Sequence, residues 1–348
     1  MARYLATPSS FWPTSGQSPS CVDCKKARGF HRQREECDVI NESRTGLMPK
    51  IVVALLNEDQ EFQQLQAQDA RETARRLGLE LEVHFAQGHA VVQIQQLFKH
   101  IHAPEAERPL ALVVEPAASE GLERVARNAV KAGVGWVLIN TNAPYLDSLR
   151  SAHADLPIGM IGSDQKQVGR IQGQQVARLL GKQGRVLCVQ GPADSAAMQE
   201  RFQGLKETLA AGYELRALNG DWTDAGAERA VTSWLRLKTA ESFRPDVVAS
   251  QNDSMALGAK KGLVKQHPDW GSIPLLGCDG LPQGGQKLVS QGQLAATIIT
   301  QSNTGSALEM LERWLGDKQE LPREVLISPM SFPDVEKLTP RGPSASRG

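Results

Sequence analysis

From Lys50 to about residue 327, short continuous apolar runs alternate with stretches of helical period, and this alternation leaves few folds open to the chain. IVVALL (51–56) has the length and content of a buried strand, and Phe62, Leu65, Asp69, Thr73 and Leu77 mark a mostly amphipathic helix stopped by Gly78. Leu81, Val83 and Phe85 alternate as a strand. Val91, Ile94, Phe98 and Ile101 share a helix face, LALVV (110–114) is a strand, Leu122, Val125 and Ala129 are helical, and WVLIN (136–140) is a strand. After a connecting passage, DLPIGMIG (155–162), the scheme repeats. A helix carrying Val168, Ile171 and Leu179 precedes RVLCVQ (185–190), one with Met198, Phe202, Leu205 and Leu209 precedes YELRAL (213–218), and one with Ala227, Val231 and Trp234 precedes DVVAS (246–250). A helix near 254–266, the strand IPLLGC (273–278), a short helix ending at Gly292, the strand LAATII (294–299) and a helix over 304–315 follow. Strands apolar along their length, alternating with helices, predict parallel sheets covered on both faces. About ten such units exceed one compact sheet. The fold class predicted is therefore α/β, as two doubly wound parallel-sheet lobes in tandem.

Composition narrows the partners. Lys and Arg number 39 and Asp and Glu 39, so there is no basic excess to release counterions from a polyanion, and nucleic acid is not expected as a partner. No apolar run approaches the roughly 18–20 residues that cross a bilayer. Residues 1–47 show no sustained period and are rich in Ser, Pro, Arg and Glu, which predicts a disordered leader that need not belong to the native chain. Met1–Ser20 lacks the apolar stretch of a secretory signal, and a start at Met48 gives a run that turns acidic too soon. Cys21, Cys24, His31 and Cys37 have a zinc-like opening spacing, but the second half of a finger or ribbon is missing, and no metal or other cofactor is expected. Cys188 and Cys278 sit in apolar runs and read as small buried hydrophobes.

Enzyme signatures fail. The chain has no phosphate loop, no G-x-G-x-x-G after its first strand, no G-x-S-x-G elbow and no H-E-x-x-H, and His100 and His102, two apart on a helix, point different ways. Doubly wound sheets bind ligands beyond the carboxyl ends of their strands. The polar residues there are Asn57, Glu115, Asn140 with Thr141, Gln190, Asn219 with Asp221 and Trp222, Gln251 with Asn252 and Asp253, Asp279, and Gln301. This set is rich in amides and suits a hydroxylated ligand. Asp279 and Asp221 could pair as acid and base in an enzyme, but nothing in the sequence fixes their separation.

Several collinear stretches, SQNDSMALGAKKGL (250–263), LLGCDGLPQGGQKLVSQGQLAATI (275–298), GSD (162–164) with GRIQGQQVARLLG (169–181), VQGPADSAAMQERFQGLKETL (189–209) and GDWTDAGAERAVTSWL (220–235), carry a family resemblance. Together they resemble the type I periplasmic sugar-binding proteins and the related ligand domains of lactose-repressor-like regulators, from about Lys50 to about Pro333. The resemblance implies a hinge and an interlobe cleft, with residues 48–153 and about 301–325 in the N-terminal lobe, 154–300 and about 326–338 in the C-terminal lobe, and a 339–348 tail. It implies that Asn252 and Asp279 bind ligand hydroxyls and that Trp222 stacks on a sugar ring. Helix-cap or turn duty for Asn252 and Asp279 and core packing for Trp222 are the competing readings. Asn57 and Phe62 match the family's first loop, and Gln301 follows the last strand. Asn140-Thr141 stands where many relatives have Asp-Arg, and Gln199 stands where they have a ligand-binding arginine, with Arg201 aligning to a second arginine of that helix. Loss of these bidentate grips predicts a ligand other than ribose.

The expected function is a non-enzymatic solute-binding protein that passes a small polar, carbohydrate-like ligand to an ABC-type transporter permease, as a monomer in the periplasm or cell envelope. The alternative is a cytoplasmic ligand sensor acting through a signalling partner. No paired helical pattern in residues 1–47 supports a DNA-binding appendage.

Overall fold

The computed structural model describes residues 48–118, 121–237, 242–317 and 320–341. The leader, with Cys21, Cys24, His31 and Cys37, and residues 342–348 of the tail lie outside the described residues. In chain order the first elements are β1 (Lys50–Leu55), α1 (Glu61–Leu77), β2 (Glu80–Phe85), α2 (Ala90–Ile101), β3 (Ala111–Val114), α3 (Leu122–Lys131), β4 (Gly135–Ile139), α4 (Tyr145–Ala152) and β5 (Ile158–Ser163). Then follow α5 (Gln165–Leu180), β6 (Gly184–Gln190), α6 (Ala196–Thr208), β7 (Tyr213–Asn219), α7 (Asp224–Leu235), β8 (Val247–Ser250), α8 (Asp253–Gln266), β9 (Leu275–Leu276), α9 (Gly285–Ser290), β10 (Thr297–Ile299), α10 (Thr304–Asp317), β11 (Glu324–Ile327) and β12 (Met330–Phe332).

A parallel six-stranded sheet of order β11-β5-β4-β3-β1-β2 and a parallel four-stranded sheet of order β7-β6-β8-β9 form the two lobes. Strand side chains alternate between faces, so one apolar run serves two cores. Ile51, Val53 and Leu55 pack with Ala67 and Ala70 of α1 and Leu308 and Leu311 of α10. Val52 and Ala54 face the opposite core, with Leu97, Val125, Ala129 and Leu149. In the second lobe Leu187, Val189 and Val248 pack under α7 and α8, while Val186, Val247 and Ala249 pack under α5. Helix α1 ends, as its sequence predicts, where Gly78 turns left-handed at φ 66°. No helix among the described residues is long and apolar enough to cross a membrane.

The chain passes between the lobes later than the sequence suggests. Residues 155–162, expected as a connection with the crossing near 153, instead deliver β5, which pairs with β4 and β11 in the first sheet. The run is hard to recognise as a strand because it carries two glycines, and Gly162 is there because a Cβ would meet the Asn140 backbone at 2.8 Å. The crossings lie between β5 and α5, between β10 and α10, and between β11 and β12. Strand β11 belongs to the first sheet, whereas β12 pairs antiparallel with β10 beside the second.

Helices α5 and α6 approach unusually closely, and this contact positions part of the cleft. A Cβ on Gly169 would stand 1.9 Å from the Arg201 carbonyl oxygen, and one on Gly204 would stand 2.0 Å from that of Lys166. Both glycines are therefore required by backbone proximity. Gly169→Ala is expected to destabilise the protein by about 1–3 kcal/mol through overpacking. Thermal unfolding checks this, and an unchanged midpoint would show that the two helices tolerate separation.

Candidate functional site

A cavity of about 370 Å³ is lined from the carboxyl ends of both sheets. The first lobe contributes Glu61, Phe62, Gln63, Glu115, Asn140, Thr141 and Ser163, and the second contributes Gln165, Arg201, Trp222, Asn252, Asp253 and Asp279. The strand-end rule thus locates the site. Of the expected ligand residues, Phe62, Asn140, Thr141, Trp222, Asn252 and Asp279 come together here. Asn57 lines an adjoining cavity that shares Leu56, Gln60, Thr141 and Trp222 with the first.

Two expected residues lie elsewhere. Gln199 is exposed on α6, and its Nε2 donates to the Ala193 carbonyl at 3.1 Å. Arg201, two residues further along, faces nearly the opposite side of the helix and enters the cavity. It occupies the same stripe as buried Met198 and Leu205, at i+3 and i−4. A charge on an apolar stripe was the signal in the sequence for this residue. Gln301, exposed just past β10, lines a different depression beside Leu65 and Glu309. Asp221, considered as an acid–base partner, is exposed; its carboxylate accepts from Arg229 at 2.8 Å and from the Thr223 backbone at 3.1 Å.

Arg201 is the one Lys or Arg among the described residues lining this cavity. Its Nε donates to Gln165 Oε1 at 2.7 Å, its Nη1 donates to the Gln251 carbonyl, and its guanidinium lies 5.6 Å from the Trp222 ring centroid. The indole leans on Gly191, where a Cβ would meet Cζ2 at 2.2 Å. Trp222 therefore has a wall role at the cavity as well as partial packing on the second core. Asn252 caps α8: its Oδ1 accepts from Met255 N at 2.8 Å, and its Nδ2 donates to the Trp222 carbonyl at 2.8 Å. One lone pair and one N–H remain for a ligand.

Six carboxyl groups line the cavity, Asp59, Glu61, Glu115, Asp224, Asp253 and Asp279, and the surroundings of Glu61, Glu115, Asp253 and Asp279 differ. Glu115 is buried and accepts from Gln63 Nε2 and Asn140 Nδ2, both at 3.0 Å; burial raises its pKa against those two bonds and the Arg201 charge. Asp253 accepts from Thr297 Oγ1 at 2.6 Å and from Gly280 N at 2.9 Å, and burial still pushes its carboxyl up to about 7. Asp253 holds the 277–285 loop in place: a Cβ on Gly277 or on Gly285 would collide with it at 2.0 or 2.1 Å. Glu61 reaches the cavity from the exposed start of α1 and adds to the negative field. Asp279 opens on the cavity, and its carboxylate has no hydrogen-bond partner among the described residues. Desolvation pushes it up to about 8, opposed by Arg201 and reinforced by Asp253, Glu61 and Glu115.

Backbone strain gathers at the same place. Asn140 (φ 62°), Trp222 (φ 67°) and Asp279 (φ 95°) are three of the four non-glycine residues with positive φ among those described, and all three line the cavity. Such conformations cost about 1–3 kcal/mol each and persist only where surrounding contacts over-determine them.

Two parallel-sheet lobes joined by three connections, with a polar cavity at the strand ends, define a protein of the two-lobe α/β class. Residues 51–314 match the family model described as the periplasmic binding protein domain, and the chain belongs to that family. It is 31% identical over 189 residues to the ribose import binding protein of Escherichia coli, a match covering 54% of this chain and 58% of that protein. The chain thus spans a little over half the length of that curated relative. Among solved structures, an ABC transporter periplasmic solute-binding protein from Actinobacillus succinogenes with bound D-allose superposes with a TM-score of 0.70 at 23% identity, covering 83% of this chain and 98% of that one. The Caulobacter myo-inositol-binding protein gives 0.69 at 21%, covering 82% and 95%. These similarities establish the expected type I periplasmic binding protein fold.

Because folding raises the Asp279 pKa from 3.8 to about 8, the folded protein binds more protons than the unfolded chain across that interval. Stability therefore falls as pH rises through it. Asp253 contributes in the same sense between 3.8 and about 7. Asp279→Asn is expected to raise the melting temperature at pH 8 and to flatten its decline between pH 5 and pH 8. Parallel wild-type and variant curves in a pH series of thermal melts would place the desolvation cost elsewhere.

Proposed function

We propose that this chain is the solute-binding component of an ABC-type importer in the cell envelope and takes a small, uncharged polyhydroxy compound, a monosaccharide or cyclitol, into the cleft. The observation that carries this reading is the Asp279 carboxylate, which opens on the cavity without a protein hydrogen bond beside the Arg201–Trp222 pair. The Asp279 carboxyl has lone pairs that no protein group uses; ligand hydroxyls that donate to it favour its charged form, so binding draws its raised pKa back down, and the charge-assisted bonds that result are roughly twice as strong as neutral ones. Glu115, Asn140 and Asn252 supply further acceptors and donors around the cavity, and the Trp222 ring offers an apolar face for the C–H side of a sugar. Six carboxyl groups against one guanidinium oppose an anionic ligand. The ligands named for the similar proteins, ribose, D-allose and myo-inositol, belong to the chemical class this lining suits. Asn140-Thr141 in place of an Asp-Arg pair, and Gln199 turned away, leave Arg201 as the remaining guanidinium grip, which argues for a solute other than ribose.

A thermal-shift screen of pentoses, hexoses and cyclitols provides the first test, since a ligand at a hundredfold excess over Kd stabilises the closed protein by about 2.7 kcal/mol. Once a binder is found, Asp279→Ala and Arg201→Met are expected to weaken it at least about tenfold, while Gln199→Ala leaves affinity unchanged. Unchanged affinity in Asp279→Ala would remove this carboxylate from recognition.

A further inference from the structure

Strand β2 is one of the two edge strands of the six-stranded sheet, and it carries Glu82 and His84 two residues apart, on one face. Helix α2 brings His100 onto that face, with His100 buried while the other two keep access to solvent. His84 Nε2 lies 2.8 Å from His100 Nε2 and 2.9 Å from Glu82 Oε1, and His100 Nε2 lies 3.7 Å from the same oxygen. Lys50 Nζ engages the other carboxylate oxygen, Oε2, at 3.0 Å, which turns Oε1 toward the histidines.

Protons satisfy this triangle poorly. An imidazole Nε2 carries at most one hydrogen, yet His84 Nε2 stands at hydrogen-bond distance from two atoms that both offer lone pairs. At most one of the two contacts is then a full, linear hydrogen bond; the other is left with a shared hydrogen or with two opposed lone pairs. A cation at the centre accepts all three lone pairs at once. Tetrahedral zinc, with ligands at about 2.0–2.2 Å, sets ligand–ligand edges of about 3.3–3.6 Å. The observed edges of 2.8, 2.9 and 3.7 Å bracket that value, and shifts of about half an ångström close the site.

We infer that Glu82, His84 and His100 form a binding site for a divalent transition-metal ion of the zinc class, with water as the fourth ligand. Two imidazoles and one carboxylate select Zn²⁺, Co²⁺, Ni²⁺ or Cu²⁺ over the oxygen-preferring Ca²⁺ and Mg²⁺. None of the three residues lines the cleft cavity, so the ion does not take part in gripping the solute. It clips the edge strand of the first lobe to the helix that covers it, an edge otherwise open to pairing with another chain.

The test titrates the full chain with Co²⁺, whose visible absorption distinguishes nitrogen and oxygen ligation from the thiolate charge-transfer bands that Cys21, Cys24 and Cys37 would give. The result expected is a single equivalent with thiolate-free bands, displaced by Zn²⁺ and accompanied by a Zn²⁺-dependent rise in melting temperature. His84→Asn and Glu82→Gln, both at solvent-accessible positions, are each expected to weaken that equivalent at least about tenfold, as loss of even an outer partner costs 10- to 100-fold. Undiminished Co²⁺ affinity in both variants, or cobalt bound only with thiolate bands, would overturn the site.

Discussion

The cleft depends on one guanidinium. Arg201 is fixed by Gln165 and the Gln251 carbonyl and lies over Trp222, and from there its charge reaches Glu115, Asp253 and Asp279. Three desolvated carboxylates within one cavity would repel one another, and each has its pKa held down by this single opposing charge against the larger effect of burial. Without it the carboxyls would rise further toward their neutral form, so the charge state of the cavity rests on the placement of α6. That placement rests in turn on the glycine contact with α5.

Division of labour among the carboxylates follows from what each already touches. Glu115 ties Gln63 of α1 to Asn140 at the end of β4, and Asp253 ties Thr297 to the Gly280 backbone, so these two organise the two walls. Asp279 is left without such a bond, in a strained conformation and an unfavourable environment. A group kept in that condition is the one with most to gain from a ligand's hydroxyls. Asn252 stands between these cases, because cap duty and cavity exposure share one side chain.

The fold was legible because buried parallel strands must be apolar along their length, and runs such as IVVALL announce both cores at once. Strand β5 was not, because its two glycines serve backbone proximity and weaken the strand pattern. For the site, the strand-end rule selected Asn140, Thr141, Trp222, Asn252 and Asp279, since it needs only the order of elements. It does not reach residues delivered by helices: Gln63, Gln165 and Arg201 enter the cavity from α1, α5 and α6, where the signal is a polar group on a buried stripe. Position-by-position resemblance put a ligand contact at Gln199, which is turned away from the cavity, and aligned Arg201, which lines it, to a second arginine of the family's helix. Glu82, His84 and His100 were hidden for another reason, because β2 and α2 must be packed together before the two histidines meet.

If a carboxyl-rich cleft with one guanidinium takes neutral hydroxyls, as proposed, a negative charge on the ligand weakens its binding. Isothermal titration at pH 7 with neutral monosaccharides and cyclitols, set beside the matching aldonic and uronic acids, tests it most directly. The account predicts saturable binding of at least one neutral compound and at least about tenfold weaker binding of its acid, the factor that 1.4 kcal/mol of repulsion supplies. An acid that binds more tightly than its neutral parent would contradict it.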